Sequence, residues 1–124
     1  METKVLVVDD SIVVRQVVSF MLTTAGYVVV QAVDGNDALT KLNTDNISMV
    51  ITDLNMPGMD GIELIKQIRR ASTYRFMPVV MLTTQSQECK RQEGKAAGAT
   101  CWICKPFTSA QLVGIVKKVF TLRP

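Results

Sequence analysis

Val5-Leu6-Val7-Val8-Asp9-Asp10-Ser11 decides how this chain is read: a short apolar run that ends in two carboxylates and a hydroxyl. The same design returns three times. Met49-Val50-Ile51-Thr52 leads into Asp53, Val79-Val80-Met81-Leu82 into Thr83, and Cys101-Trp102-Ile103-Cys104 into Lys105. Short apolar runs bounded by turn signals are expected as buried strands. If the strands are parallel, three carboxylates, a hydroxyl and an ammonium meet at one sheet edge, where open α/β sheets carry their functional groups. Acids forced together raise one another's pKa unless a cation joins them, so a divalent metal is the expected occupant.

Helical patterns lie between the runs. Ser11 is placed to cap a helix whose apolar positions Val14, Val17, Val18, Met21, Leu22 and Ala25 recur at helical spacing, with Gly26 as its stop. A second strand over 28–32 leads through Asp34-Gly35 into a helix with Ala38, Leu39 and Leu42 on one face. Asn55-Met56-Pro57-Gly58-Met59-Asp60-Gly61 reads as a loop, followed by a helix that turns Ile62, Leu64, Ile65 and Ile68 inward. Asp34 and Asp60 both precede Gly and read as turn formers outside the site. Pro78 opens the fourth strand, where a missing amide proton does least harm.

Residues 88–97 show only a thin apolar stripe, Cys89, Ala96 and Ala97, with Gly94 inside, so this helix is expected to be weakly held. Lys90, Arg91, Lys95, Lys117 and Lys118 offer a basic face to an acidic partner. The last helix follows Pro106 and Phe107 and buries Leu112, Ile115, Val116, Val119 and Phe120. Five strand-helix units imply a five-stranded parallel sheet with helices on both faces, a three-layer α/β sandwich. An eight-unit barrel needs twice the length.

With 124 residues, 48% of them hydrophobic, the chain suits a single domain over 1–124 with no effector domain. No apolar stretch reaches the roughly 20 residues of a spanning helix, and the N-terminus lacks a signal-peptide pattern. A cytoplasmic location is expected. The net charge of +3 comes without a Lys/Arg block, which argues against nucleic acid as a partner. Three cysteines cannot pair fully and suit a reducing compartment. Cys101-Trp102-Ile103-Cys104 has the C-x-x-C spacing of redox sites, but those open a helix. In a strand, Cα atoms three apart are separated by about 10 Å, beyond the limit of about 7 Å for a disulfide.

Val8-Asp9-Asp10-Ser11, Thr52-Asp53-Leu54-Asn55-Met56-Pro57-Gly58-Met59-Asp60-Gly61, Leu82-Thr83-Thr84 and Lys105-Pro106-Phe107 together resemble the receiver domain of bacterial two-component signalling, most closely its stand-alone CheY-like chemotaxis regulators. The likeness covers essentially the whole chain. It implies the flavodoxin-like strand order 2-1-3-4-5. It also implies that Asp53 accepts a phosphoryl group from the phosphohistidine of a CheA-like histidine kinase. By the same resemblance Asp10, Asp53 and the backbone carbonyl of Asn55 ligate Mg²⁺, and Asp9 acts through water. Lys105, after a cis bond to Pro106, pairs with the phosphoryl oxygens, and Thr83 hydrogen-bonds to one of them.

The resemblance further makes Thr83 and Trp102 the switch pair. The family more often has Tyr or Phe at the aromatic position, so the indole either toggles or covers the sheet edge. Asn55 and Gln85 flank the path of the water that removes the phosphoryl group. Neither can take a proton from it at neutral pH. The implied protein is a monomeric phosphoacceptor that promotes its own phosphorylation and dephosphorylation, not an enzyme acting on a separate substrate. Its implied output is contact with the flagellar motor switch protein through the face formed by the fourth helix, fifth strand and fifth helix. A phosphate sink or another docking target is the alternative, and a dedicated phosphatase is a possible partner.

Two other classes fit poorly. A dehalogenase-type aspartyl-phosphate phosphatase needs a second Asp two positions after the nucleophile, where Asn55 stands. A flavodoxin-like cofactor carrier needs a Gly/Ser/Thr-rich phosphate loop after the first strand, where Asp9 and Asp10 repel phosphate.

Overall fold

The computed structural model describes residues 3–84 and 90–121. Five strands, β1 (Lys4–Val8), β2 (Val28–Ala32), β3 (Met49–Asp53), β4 (Val79–Thr83) and β5 (Cys101–Cys104), alternate with α1 (Ile12–Thr24), α2 (Gly35–Thr44), α3 (Gly61–Arg70), α4 (Lys90–Ala97) and α5 (Ser109–Thr121). A 3₁₀ turn over Ser72–Tyr74, which the sequence pattern did not signal, joins α3 to β4. All strands are parallel, in the order β2-β1-β3-β4-β5.

Strand alternation explains the three layers. Leu6, Val8, Val50, Val79 and Met81 face one side and pack against Ala38, Leu42, Ile62, Leu64, Ile65 and Ile68 of α2 and α3. Val5, Val7, Met49, Ile51, Val80, Leu82 and Ile103 face the other side and meet Val18, Leu22, Leu112, Val116 and Val119 of α1 and α5. The chain steps one way from β1 to β2 and the other way from β1 to β3. Right-handed crossovers therefore put α1 on one face and α2 on the opposite one, and the reversal leaves a crevice between the carboxyl ends of β1 and β3.

The helix ends carry their own chemistry. Ser11 caps α1 by accepting the Val14 amide, and Gly26 follows that helix at φ 99°, a conformation that favours glycine. Asp34 and Asp60, expected as turn formers, are helix N-caps: their carboxylates accept the amides of Asp37 at 2.8 Å and Glu63 at 2.9 Å. Two inward stripes also differ from expectation. Val17 is 47% exposed and Ala25 lies at the surface, because Arg15, Val18 and Leu22 form the buried line of α1. In α4, Ala96 is exposed while Gly94 is buried and Ala97 packs on the core, since two residues along a helix turn a side chain to the opposite flank. Cys89 and Gln85 lie outside the described residues. Cys101 and Cys104 are free thiols in β5.

Candidate functional site

Register brings the chemistry to one edge. Val8 pairs with Thr52, so Asp9 comes level with Asp53; Asp53 pairs with Leu82, and Thr83 with Cys104, so Thr83 and Lys105 follow one step beyond. Asp9, Asp10 and Asp53 each place a carboxylate oxygen within 4.8 Å of the others'. Lys105 Nζ lies 2.7 Å from Asp53 Oδ1 and 3.9 Å from Asp9 Oδ2. The Lys105–Pro106 bond is cis, as the resemblance implied. Asp9, Asp53 and Thr83 are buried, whereas Asp10 and Asn55 are exposed. Thr83 is tied to the cation's own backbone, since the Lys105 amide donates to the Thr83 carbonyl at 2.6 Å.

Asp9 bears the strain of this crowding. Burial raises its pKa above the usual carboxylate value, the Asp53 and Asp10 charges raise it further, and the Ser11 amide bond and Lys105 oppose the rise. The Ser11 amide donates to Asp9 Oδ1 at 2.9 Å. Oδ2 is buried and has no hydrogen-bond partner among the described residues. An orphaned carboxylate oxygen beside two further carboxylates, with one ammonium in reach, is a donor set suited to a hard divalent cation.

Two supporting residues escaped the sequence reading. Arg15 is 9% exposed and donates from Nη1 to the Asp9 carbonyl at 2.7 Å and from Nε to Gln31 Oε1 at 3.3 Å. It thereby pins the backbone that aims the two acids. Its signal was available: Arg15 stands three and seven residues before Val18 and Leu22, on the apolar stripe itself.

Gly61 is the second. Its amide donates to the Leu54 carbonyl at 2.8 Å, closing the loop that begins just after Asp53. A Cβ on Gly61 comes within 2.5 Å of the Asp53 carbonyl oxygen and 3.0 Å of Leu54 Cα. Its φ is unexceptional, so glycine is required here for close approach of α3 to the end of β3 rather than for backbone freedom. The Asp53 carbonyl also accepts the Thr52 hydroxyl at 3.0 Å.

The family model for the response regulator receiver domain matches residues 5–117, the span that holds every one of these groups. The chain belongs to the response regulator receiver domain family. This receiver is 38% identical over 119 residues to the phosphate regulon transcriptional regulatory protein PhoB of Escherichia coli K12, covering 96% of this chain and 52% of PhoB. It is 38% identical over 116 residues to the transcriptional regulatory protein ResD of Bacillus subtilis, covering 94% of this chain and 47% of ResD. The chain thus spans about half the length of the curated relatives it matches.

Among solved structures, the chemotaxis protein CheY4 of Vibrio cholerae superposes with a TM-score of 0.91 at 47% identity, covering 96% of this chain and 99% of that one. A response regulator from Chloroflexus aurantiacus gives 0.93 at 32%, covering 98% and 99%. Receiver domains bind Mg²⁺ at an acidic pocket and interact with histidine kinases and downstream targets, and the three-Asp cluster is a pocket of that kind. Among the described residues, no helix of the receiver is long and apolar enough to cross a membrane.

Two measurements check this geometry. Gly61→Ala is expected to cost about 1–3 kcal/mol in urea unfolding, as overpacking against rigid backbone does. Gly94→Ala, whose Cβ meets only the Met81 side chain, Sδ at 3.6 Å and Cε at 3.7 Å, is expected to cost nothing. In metal-free protein, Asp9→Asn is expected to raise stability at neutral pH. A carboxyl whose folded pKa exceeds the unfolded value of 3.8 loses stability as pH rises through that window, so the gain should vanish below pH 3.8 in melts at graded pH.

Proposed function

We propose that Asp53 is the phosphoacceptor of this receiver and that a phosphohistidine on a partner kinase is the donor. One observation carries the reading: Lys105 Nζ sits 2.7 Å from Asp53 Oδ1 inside a three-carboxylate pocket at the carboxyl edge of the sheet. In the transfer, an Asp53 carboxylate oxygen attacks phosphorus, a P–O bond forms, the P–N bond breaks, and the imidazole leaves with the electron pair. A carboxylate is a weak nucleophile, so charge compensation and in-line placement must supply the rate. Lys105 turns from the carboxylate to the incoming phosphoryl oxygens, and the Thr83 hydroxyl donates to one of them.

Asp10, Asp53 and the backbone carbonyl of Asn55 hold Mg²⁺, with Asp9 acting through water. The bound ion supplies positive charge that lets acid and phosphoryl oxygens coexist. The remaining residues favour acceptance over catalysis on outside substrates. Asn55 stands two positions past Asp53, where an aspartyl-phosphate phosphatase places its acid, and an amide orients water without taking its proton. The chain is thus a phosphoacceptor that promotes its own loading and unloading.

Output through the face of α4, β5 and α5 is supported by Trp102. The ring is half-buried against the core and borders a groove of about 630 Å³ with Ile115 and Lys118. Thr83 and Trp102 form the switch. The 47% identity to CheY4 of Vibrio cholerae favours a chemotaxis output at a flagellar motor switch protein. The likeness to PhoB and ResD sustains the second reading, a receiver that serves another target or drains phosphate from its kinase.

Incubation with acetyl phosphate is expected to give one phosphoryl adduct by intact mass, dependent on Mg²⁺ and absent from Asp53→Asn, with a change in Trp102 fluorescence. Labelling of the variant at the wild-type rate overturns the assignment. Capture by a flagellar switch protein should strengthen with a phosphoryl mimic such as beryllofluoride. Capture by neither form moves the output to the second reading.

A further inference from the structure

α3 carries Lys66, Arg69 and Arg70 at i, i+3 and i+4, a spacing that puts three cations on one helical flank, and that flank faces α4. A cavity of about 450 Å³ lies between the two helices, bordered by these three residues and, across from them, by Glu93, Ala96 and Ala97. It is remote from the acidic edge, because α3 ends at the opposite side of the sheet from the crevice where it begins.

Arg69 is half-buried and spends its guanidinium on neutral acceptors. Nε and Nη2 donate to the Gly98 carbonyl at 3.1 and 2.8 Å, and Nη1 donates to the Tyr74 carbonyl at 3.0 Å. Three of its five N–H donors are used. Burial lowers its pKa, and no carboxylate among the described residues pairs with it. Capping the end of α4 accounts for Arg69, since cations suit a helix C-terminus. It leaves Lys66 and Arg70 beside it exposed on the groove wall, and neither pairs with a carboxylate among the described residues.

We infer that the groove between α3 and α4 is a docking surface for an acidic helical segment of a partner protein. Charge complementarity selects the occupant. Carboxylates at successive turns of a partner helix match cations spread over about 6 Å of α3, a span too long for one small oxyanion. Ala96 and Ala97 on the far wall leave room for the partner's side chains, and Glu93 on that wall turns the partner's carboxylates toward α3 and away from α4. Arg69, already holding Gly98, links an occupant to the end of α4. The inference is independent of phosphoryl chemistry at Asp53.

The test uses a labelled synthetic helical peptide with Glu at i, i+3 and i+4, its Gln counterpart, and inorganic phosphate, each titrated against the full chain. The Glu peptide is expected to move the backbone amide resonances of residues 66–70 and 93–98, and the Gln peptide to move none. Lys66→Glu with Arg70→Glu, which removes two attractions and adds two like-charge contacts, should weaken binding about tenfold. Labelling of Asp53 by acetyl phosphate should be unchanged, which separates this outcome from any failure at the acidic pocket. The neutral pair Lys66→Gln with Arg70→Gln serves if the reversal variant fails to fold. Equal binding by the variants, resonance changes centred on Lys117 and Lys118, or phosphate displacing the peptide at comparable concentration each overturn the proposal.

Discussion

Three carboxylate groups whose oxygens stand within 4.8 Å of one another repel, and this structure keeps them there. Lys105 offsets only part of that repulsion, since it is close to Asp53 and 3.9 Å from Asp9. The rest is borne by the backbone. Asp9 is anchored by the Ser11 amide and by Arg15 on its carbonyl, and Asp53 is set by strand pairing on both sides of β3. Both anchors hang on the packed faces of the sheet, so core burial is what holds the acids in a geometry they would otherwise leave. A pocket held against its own charge is ready for a cation and needs little reorganisation to accept one.

That dependence explains what was legible beforehand. Apolar runs ending in Asp9, Asp53, Thr83 and Lys105 are visible because a fully buried parallel strand tolerates few polar residues, so the first polar group marks the strand's end. Four such runs, the strand over 28–32 and the helical spacers specify the layers. The facing of helices was harder. Val17 and Ala25 fit the α1 period as well as Val18 and Leu22 do, yet the burial line includes Arg15, whose role exists only because the Asp9 carbonyl lies beneath it. An arginine in an apolar stripe looks like an interruption until its acceptor is known.

Close contacts leave even less trace. Asp60 before Gly61 reads equally as a turn or a cap, and only the amide of Glu63 decides for the cap. Gly61 then looks like part of a turn dipeptide, although its function is to have no side chain where the Asp53 carbonyl passes. In α4 the pattern offers Ala96 as a core residue, yet Ala96 is exposed and Gly94 is the buried position, with room above it for a Cβ before the Met81 side chain is met. Composition cannot report such contacts, because they are set by two elements distant in sequence.

The same β4–β5 pairing gives the proposed switch its mechanical basis. Met81 pairs with Trp102 and Thr83 with Cys104, so site and groove share one two-strand ladder. The Lys105 amide bonded to the Thr83 carbonyl closes that ladder at the acidic edge. A phosphoryl group that draws in the Thr83 hydroxyl and the Lys105 ammonium would therefore pull on both strands two rungs from Trp102. Parallel strands packed on both faces do not deform gradually. In that proposal the response falls to the half-buried indole and to α4, where among the described residues Ala97 packs on the core and Gly94 is the buried position.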